Sequence, residues 1–545
     1  MNDDAAEVVE NTDDVSNSQP DNSQESSNTL SPFNSYLPKT WRETFAVILL
    51  IAVADFLIYR QPGFFSFSLF IITTPLLILF GRYRSECSST VILSFLLLIV
   101  TAAKLCWSGN PLLVMAAVLL LFSCVLGMMG VFPFLHRLTT FILVTIPLGL
   151  YRTKEYSLLG RSSQSSGLPG GKWLSTMMPL AVGALFAFLF VMANPDVLSW
   201  VSTGVSDFFR HLQQYLSYVS VEDFLFWSFI GVLGLGMLSS QFPFPISNED
   251  AEILPETHGR SDFFAPFRNT LLVVIVLFTA YLGFEFSTLW GRTFPVGFHY
   301  SGYAHEGAAW LTVALSLATV VLSVIFRGEV LVDPRLGFLK KLAWVWSAQN
   351  LILAIAVYNR LWIYVGFNGM TRMRVIGYLG ITAVVIGFAL VLYKIGTHRS
   401  FQWLIKRQLM VPVLLCLLYL LLPVDILVHR YNVSRILTGD LAPTVQISVH
   451  PMTDDAYPEL LPLLNIEDVK IRDGIAAMLI AKQRELADHK LAFNWSDWKQ
   501  YQLGQDYTKQ RLQEENNALK SYQQLDETTQ AIQLEDFKMY VYQWF

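Results

Sequence analysis

The sequence predicts an all-α integral membrane protein with about 11 transmembrane helices (10–12) and a mainly helical C-terminal tail outside the bilayer. Of its 545 residues 53% are hydrophobic and only 15% are charged, whereas a soluble chain carries about 25% charged residues. Apolar runs near the length that crosses a bilayer recur between residues 41 and 423. These runs do not alternate as barrel strands do, and backbone groups in lipid need internal partners, so the spans should be helices.

The N-terminal segment, residues 1–40, is predicted to be disordered and cytoplasmic. Its first 38 residues contain eight acidic side chains and no basic one. Such a composition cannot bury enough apolar surface to fold. The segment also lacks the basic n-region of a signal peptide, so we expect no cleavage.

The apolar runs predict eleven spans, at 41–59, 64–80, 88–106, 111–131, 173–193, 224–241, 269–290, 307–326, 342–364, 374–394 and 408–423. A further run, 139–150, has only twelve residues and contains Pro147. Because about 20 residues are needed to cross the hydrocarbon core, we expect this run to enter the membrane without crossing it. The alternative is a twelfth span.

Basic residues indicate which loops face the cytoplasm. With eleven spans, one set of loops carries most of them, including Arg42, Arg82, Arg137, Arg152, Arg335, Lys340, Lys341, Lys394 and Arg407. The positive-inside rule then predicts a cytoplasmic N-terminus and an extracytoplasmic tail. Twelve spans would reverse this bias halfway along the chain, which favours eleven.

The predicted domain order follows from a basic, Ser- and Gly-rich linker at 151–172. It separates a first transmembrane bundle, 41–150, from a second, 173–423. Residues 194–220 have the three-four apolar spacing of an amphipathic helix, which lies either in the outer interface or as a cap on the bundle. The tail, 424–545, has a helical pattern of apolar residues, clearest at 466–493.

The stretch "FHYSGYAHEGAAWL", residues 298–311, resembles the edge of an active site. A zinc protease motif needs His-Glu-x-x-His, so that two imidazoles share one helix face. His305 and Glu306 begin this pattern, but Ala309 stands where the second histidine is required. We favour the alternative of a purely structural role, in which these residues anchor a helix end at the lipid headgroups. We assign no catalytic, metal or cofactor-binding residue.

Ionisable residues inside or beside spans form the candidate functional site, because charges are costly in hydrocarbon. Counting residues along each predicted span places a set of them toward the outer side, namely Asp55, Glu285, His299, His305, Glu306, Arg360 and Arg372. We predict that Glu285, Glu306, Arg360 and Arg372 form a charge cluster with His305 at its rim. Recognition of a phosphate or carboxylate by the arginines is the alternative to this mutual pairing.

Several segments resemble bacterial membrane proteins of the domain-of-unknown-function families 4173 and 4153. The similar stretches are "YAHEGAAWLTVALSLATVVL" (303–322), "RLWIYVGFNGMTRMRV" (360–375), "HRYNVSR" (429–435), "DAYPELLPLL" (455–464) and "FNWSDWKQYQLG" (493–504). Glu306 departs from the resemblance, because those families tend to have a basic residue there. The resemblance implies membership and topology in a bacterial cytoplasmic membrane, and it implies no catalytic residue.

Three classes of function stay open at this point. A non-enzymatic envelope or signalling component is favoured, because the tail and the amphipathic segment are the distinctive parts. A permease for a small solute is the first alternative, from the span number and the outer polar cluster. A membrane enzyme is the second, from His299, His305 and Glu306. The expected partners are the lipid bilayer and another envelope protein that binds the tail. No nucleotide-binding loop, Gly-x-Ser-x-Gly motif or nucleic-acid-binding stretch is present.

Overall fold

The computed structural model describes residues 41–59, 61–82, 88–158, 220–239, 260–287, 300–397, 399–488 and 498–544. At 155–158, 300–306 and 516 only the backbone is described. These residues form helices and turns and no β-sheet. The predicted all-α class is therefore confirmed for the described part of the chain.

Eleven helices precede the tail in the described residues: α1 Trp41–Ala54, α2 Phe64–Gly81, α3 Ser89–Trp107, α4 Pro111–Met128, α5 Leu135–Leu158, α6 Val221–Met237, α7 Phe264–Glu285, α8 Tyr300–Ile325, α9 Leu336–Asn368, α10 Arg372–Thr397 and α11 Phe401–Leu421. A π-helical segment, Asp55–Tyr59, continues α1. The local sequence explains where several of these helices begin. Asn110 accepts a hydrogen bond from the Leu112 amide and Pro111 begins α4, while Ser220 and Asp223 form a capping box at α6.

Eight of the described helices are long and apolar enough to cross a membrane: Phe64–Gly81, Ser89–Trp107, Pro111–Met128, Phe264–Glu285, Gly307–Ile325, Leu336–Asn368, Arg372–Thr397 and Phe401–Leu421. Each coincides with a predicted span. The predicted spans 41–59 and 224–241 coincide with the shorter helices α1 and α6. The predicted span 173–193, the amphipathic segment 194–220 and the N-terminal 1–40 lie outside the described residues. The total of eleven spans stays a prediction.

The tail folds as a separate helical unit with its own core. Its helices are α12 Val424–Leu437, α13 Thr444–Val449, α14 Val469–Asp488, α15 Leu503–Glu514, α16 Asn516–Gln523 and α17 Glu527–Val541, with 3₁₀ segments at Asp454–Asn465, Trp498–Gln500 and Tyr542–Trp544. Ile475 and Leu479 of α14 pack against Phe537 of α17 at the centre of this core. Of the predicted stripe at 466–493, Ile475, Leu479 and Leu486 are buried, Val469 is exposed, and 489–493 lie outside the described residues.

The helices before the tail have two distinct ends. The tail contacts the α1–α2, α3–α4 and α9–α10 turns, so these turns define the tail end. The opposite end, here called the basic end, carries Arg42, Arg82, Arg335, Lys394 and Arg407 at helix termini or within the first two turns. At this end Lys394 donates to the Phe326 carbonyl at 2.7 Å. The charge bias read from the sequence therefore coincides with a real division of the structure.

Helix α5 is longer than the run 139–150 suggested. It has 24 residues, about 36 Å at 1.5 Å per residue, because polar turns extend the apolar run at both ends. Near its start, burial, Arg137 and Lys406 lower the pKa of His136. Near its end, Arg152 Nη2 lies 2.7 Å from Glu43 Oε1. Both ends thus have neighbours at the basic end, although whether α5 crosses the membrane stays a prediction.

Helix α6 does not belong to the second bundle, contrary to the predicted division at 173–423. It packs against α1 and α5, and Met237 lies in the core of the first bundle. The reason is close packing of small residues, since Gly236 of α6 meets the Thr145 carbonyl and Gly149 of α5 meets the Val232 carbonyl. Glycine positions in "GVLGLG" (231–236) thus select the neighbours of α6, which hydropathy alone cannot do.

Candidate functional site

Among the described residues, the most buried ion pair joins Glu285 of α7 to Arg360 of α9. Arg360 Nε donates to Glu285 Oε1 at 2.9 Å, and Nη2 contacts the second carboxylate oxygen. The Tyr281 hydroxyl accepts from Arg360 Nη2 at 3.0 Å and donates to Glu285 Oε2 at 3.0 Å. Both charged side chains are at most 2% exposed. The bidentate geometry compensates the cost of burying each charge.

Helix α8 approaches this pair at Gly307. A Cβ atom added at Gly307 would overlap Arg360 Nη1. The glycine that follows Glu306 is therefore required by the position of the guanidinium group. This close approach places the backbone of the "YAHEG" stretch beside the Glu285–Arg360 pair.

The other predicted site residues are distributed differently. Asp55 Oδ1 accepts from Trp227 Nε1 at 2.9 Å, so its partner is an indole of α6 and not an arginine. Arg372 pairs with Asp425 of the tail instead of Glu285 or Glu306. His299 and the side chains of His305 and Glu306 lie outside the described residues. Of the predicted cluster, the structure brings together Glu285 and Arg360 and moves Arg372 to a second site.

That second site is the junction cluster, formed where the α9–α10 turn meets α12 of the tail. It comprises Gly369, Met370, Arg372, Asp425, His429, Asn432 and Arg435. The C-terminal turn of α9 leaves backbone carbonyls without helical partners. Arg435 Nη1 donates to the Val365 carbonyl at 2.7 Å and Nη2 to the Gly366 carbonyl at 2.6 Å. A tail cation thereby caps the negative end of a membrane helix.

Asn432 of the tail forms two hydrogen bonds with the α9–α10 turn. Its Oδ1 accepts from the Met370 amide at 2.7 Å and its Nδ2 donates to the Met370 carbonyl at 2.9 Å. The preceding Gly369 has φ of 86°, which favours glycine, and a Cβ there would lie 2.7 Å from Asn432 Oδ1. Glycine is required here both by the backbone conformation and by the closeness of the tail.

An ion pair closes the junction cluster. The guanidinium of Arg372 makes a bidentate contact with Asp425, whose Oδ2 also accepts from the Thr453 amide at 2.7 Å. Asp425 is 5% exposed, whereas Arg372 is 37% exposed. Because Arg372 is partly hydrated, this pair contributes less than the fully buried one. Its role is to connect the start of α10 with two segments of the tail.

The first bundle is attached to the same tail at other points. Asp455 Oδ2 accepts from Trp107 Nε1 at 2.7 Å and lies 3.9 Å from Lys104 Nζ. Gln502 Oε1 accepts from the Gly109 amide at 3.1 Å. The Lys499 carbonyl lies directly against Gly63 in the α1–α2 turn. One tail therefore contacts turns of both bundles.

His429 lies inside the junction cluster, 3% exposed, and its Nδ1 has no hydrogen-bond partner. Burial lowers the pKa of His429 to about 4, with Arg372 and His450 acting in the same direction and Asp425 and Glu459 opposing them. The neutral imidazole is therefore the form that the folded junction holds. Protonation would place an additional positive charge beside Arg372.

We expect the protein to lose stability as the pH falls from about 6.5 toward 4. The unfolded chain binds a proton at His429 in this range and the folded chain does not, so the loss is at most about 1.4 kcal/mol per pH unit. Thermal unfolding measured from pH 7.5 to 4.5 tests this, with His429→Gln expected to flatten the profile. His136→Gln, at the basic end, is the comparison: the pKa of His136 is also lowered, but its side chain is exposed, so this variant should flatten the profile less. A His429→Gln profile as steep as that of the unaltered protein would contradict the assignment.

Most residues of the junction cluster are not among the site residues that the sequence predicts. Asp425, His429, Asn432 and Arg435 lie just after the last predicted span, and the stretch "HRYNVSR" served there only as a point of resemblance. The sequence signal that could have found these residues is the high density of hydrogen-bonding side chains at a membrane boundary. Their partners are backbone groups of the distant α9–α10 turn, which carry no signal in the sequence.

The polar contacts described above join membrane helices to each other and to the tail. Among the described side chains, no three His, Cys, Asp or Glu are grouped as a metal site would require. Near the middle of α9, Asn350 is fully buried, donates to the Trp346 carbonyl at 2.8 Å and leaves its Oδ1 without a partner. Between Asn350 and the Arg360 pair stand the fully buried Leu353 and Val357. Aliphatic side chains thus separate the two polar positions of this helix face.

Comparison with known families gives one match. The model of a family described as a domain of unknown function (DUF4153) matches residues 45–463, more than half of the chain. No curated protein matches the sequence, and no solved structure matches it. The matched residues include both membrane bundles, the Glu285–Arg360 pair and the junction cluster.

Proposed function

The chain belongs to the DUF4153 family, whose description states no activity, and on that premise we propose that the protein is a non-enzymatic component of the bacterial cell envelope. Its helix bundle anchors the tail at the membrane, and the tail binds another envelope protein. The bundle lies in the cytoplasmic membrane with its N-terminus inside and its tail outside. The basic end then faces the cytoplasm, in line with the positive-inside rule.

The observation that carries this proposal is the attachment of one tail to both bundles. Trp107 and Gly109 of the first bundle are hydrogen-bonded to tail side chains, and so are Val365, Gly366 and Met370 of the second. Asn432 and Arg435 of the "HRYNVSR" stretch are used in this attachment. A tail held at several points keeps a constant orientation relative to the bilayer, as a docking platform needs.

A permease is less well supported. Alternating access in many transporters is a rocking of one bundle or repeat against the other around a site near the bilayer midplane. The tail opposes such movement because it is attached to turns of both bundles. Leu353 and Val357 also separate Asn350 from Arg360, so the polar residues of α9 do not form a continuous path.

An enzyme is also less well supported by the described residues. Catalysis needs a nucleophile, base or electrostatic donor available to a substrate. The carboxylates of Glu285 and Asp425 are both committed to arginines and to a further hydrogen-bond donor. These two carboxylates therefore serve to connect parts of the protein to each other.

Site-specific photocrosslinking in the native host tests the platform proposal. Benzoylphenylalanine would replace Ile532 or Met539, exposed residues of α17, and the matched controls would replace Val273 or Val276, exposed residues of α7. We expect one adduct of defined mass from the tail positions and none from the controls. Absence of a protein adduct from the tail positions in growing cells, with full-length protein present, would contradict the proposal.

A further inference from the structure

Two arginines meet at the basic end, where α1, α2, α5 and α6 converge. Arg82, directly after α2, donates from Nη2 to the Met237 carbonyl at 2.9 Å and to the Ser239 carbonyl at 2.7 Å. Arg152 of α5 donates to Glu43 at 2.9 Å and to the Leu238 carbonyl at 3.4 Å. Both guanidinium groups therefore lie at the C-terminal end of α6, whose dipole favours cations.

Several buried donors of these two arginines have no acceptor. Arg82 is 6% exposed, and its Nε and Nη1 have no hydrogen-bond partner; Nε of Arg152 is also unpaired. Leaving a buried donor without an acceptor is unfavourable, more so when it belongs to a charged group. Three nitrogen atoms from two side chains are thus unpaired at this end of the bundle.

The charge balance is also incomplete. Within the described part of the chain, Glu43 is the carboxylate paired at this site, and no ion pair involves Arg82. Burial and the neighbouring Arg152 lower the pKa of Arg82 to about 10, so it remains a cation at neutral pH. Among the described residues, the two arginines and Glu43 leave a net positive charge, which an additional anion would neutralise.

Aromatic residues place this site at the depth of lipid headgroups. Trp41, two residues before Glu43, and Phe80, two residues before Arg82, are exposed and pack edge-to-face with centroids 6.1 Å apart. Phe45 completes the exposed group, 6.1 Å from Phe80. Exposed aromatic side chains at a helix end are typical of the membrane interface.

We infer that Arg82 and Arg152 bind the phosphate group of an anionic phospholipid, a site independent of the proposed function of the tail. Phosphate oxygens accept bidentate hydrogen bonds from guanidinium groups and would satisfy the unpaired donors. The headgroup enters beside Arg152, whose side chain is 11% exposed and is the more accessible of the two arginines. Basic pockets between helices on the cytoplasmic side bind such headgroups. Free phosphate offers the same chemistry and is distinguished by experiment.

Binding to the full-length protein in a neutral detergent tests the inference. Short-chain phosphatidylglycerol, phosphatidylcholine of equal chain length and inorganic phosphate would be titrated separately, with affinity measured by native mass spectrometry. We expect phosphatidylglycerol to bind about tenfold more tightly than phosphatidylcholine, and Arg82→Gln to remove this preference. Arg137→Gln, a basic-end arginine outside the site, is the matched control and should retain it.

The outcomes separate the sources of the phosphate. Binding of inorganic phosphate that Arg82→Gln abolishes, without any lipid preference, would support the site and assign it to the free ion. An unchanged lipid preference in Arg82→Gln, or an equal loss in Arg137→Gln, would overturn it. If Arg82→Gln does not fold, Arg82→Lys keeps the charge but not the bidentate geometry, and it should weaken binding several-fold; unchanged binding in that variant would also overturn the inference.

Discussion

Replacing Arg360 with glutamine is expected to lower the free energy of unfolding by about 3–5 kcal/mol, because the change leaves the Glu285 carboxylate buried without its cation. Arg360 and Glu285 are 2% and 1% exposed, so water cannot replace the missing partner. The Tyr281 hydroxyl would remain as a donor to Glu285, but one neutral hydrogen bond compensates only part of the loss. This is the largest effect that we expect from a single substitution.

The control is the double variant Glu285→Gln with Arg360→Gln. Removing both charges together avoids the unpaired carboxylate, so the double variant should be more stable than Arg360→Gln alone. Thermal unfolding of the purified protein in detergent compares the three proteins. If Arg360→Gln and the double variant unfold at the same temperature, the two side chains are not coupled and the pair has no stabilising role.

Asn432→Leu should produce the second largest effect, a loss of about 2–4 kcal/mol in the attachment of the tail. The change keeps the branched shape of the side chain but leaves both the amide and the carbonyl of Met370 without partners. Each unsatisfied buried group costs about 1–3 kcal/mol. Since Asn432 is fully buried, solvent does not reach these groups in the folded protein.

Limited proteolysis at the α12 boundary and thermal unfolding together measure this effect. Arg430→Gln is the matched control, because Arg430 lies two residues away on the same helix, is 68% exposed and pairs with Glu459 at the surface. Removing a surface pair costs at most about 1 kcal/mol. Equal protease resistance of Asn432→Leu and the unaltered protein would show that Asn432 does not hold the tail in place.

The hydrophobic runs alone predicted eight helices that the structure also contains as candidate membrane spans. This succeeds because transfer of a helix into lipid depends on the composition of about 20 consecutive residues, a local property. The same one-dimensional count placed Glu285 and Arg360 at a similar depth. Since each residue of a helix advances about 1.5 Å along its axis, depth can be read from the sequence.

Which residues contact each other at a given depth in the membrane depends on the tertiary structure. Arg372 and Asp55 both lie at the tail end, yet Arg372 pairs with Asp425 of the tail and Asp55 with Trp227 of α6. Helix α6 joins the first bundle through close contacts at Gly149 and Gly236, far apart in the sequence. Asn432 and Arg435 bind backbone groups more than 60 residues away. Hydropathy and helical rise determine depth along the membrane normal, whereas lateral position depends on side-chain packing between helices, and that packing exists only in the folded chain.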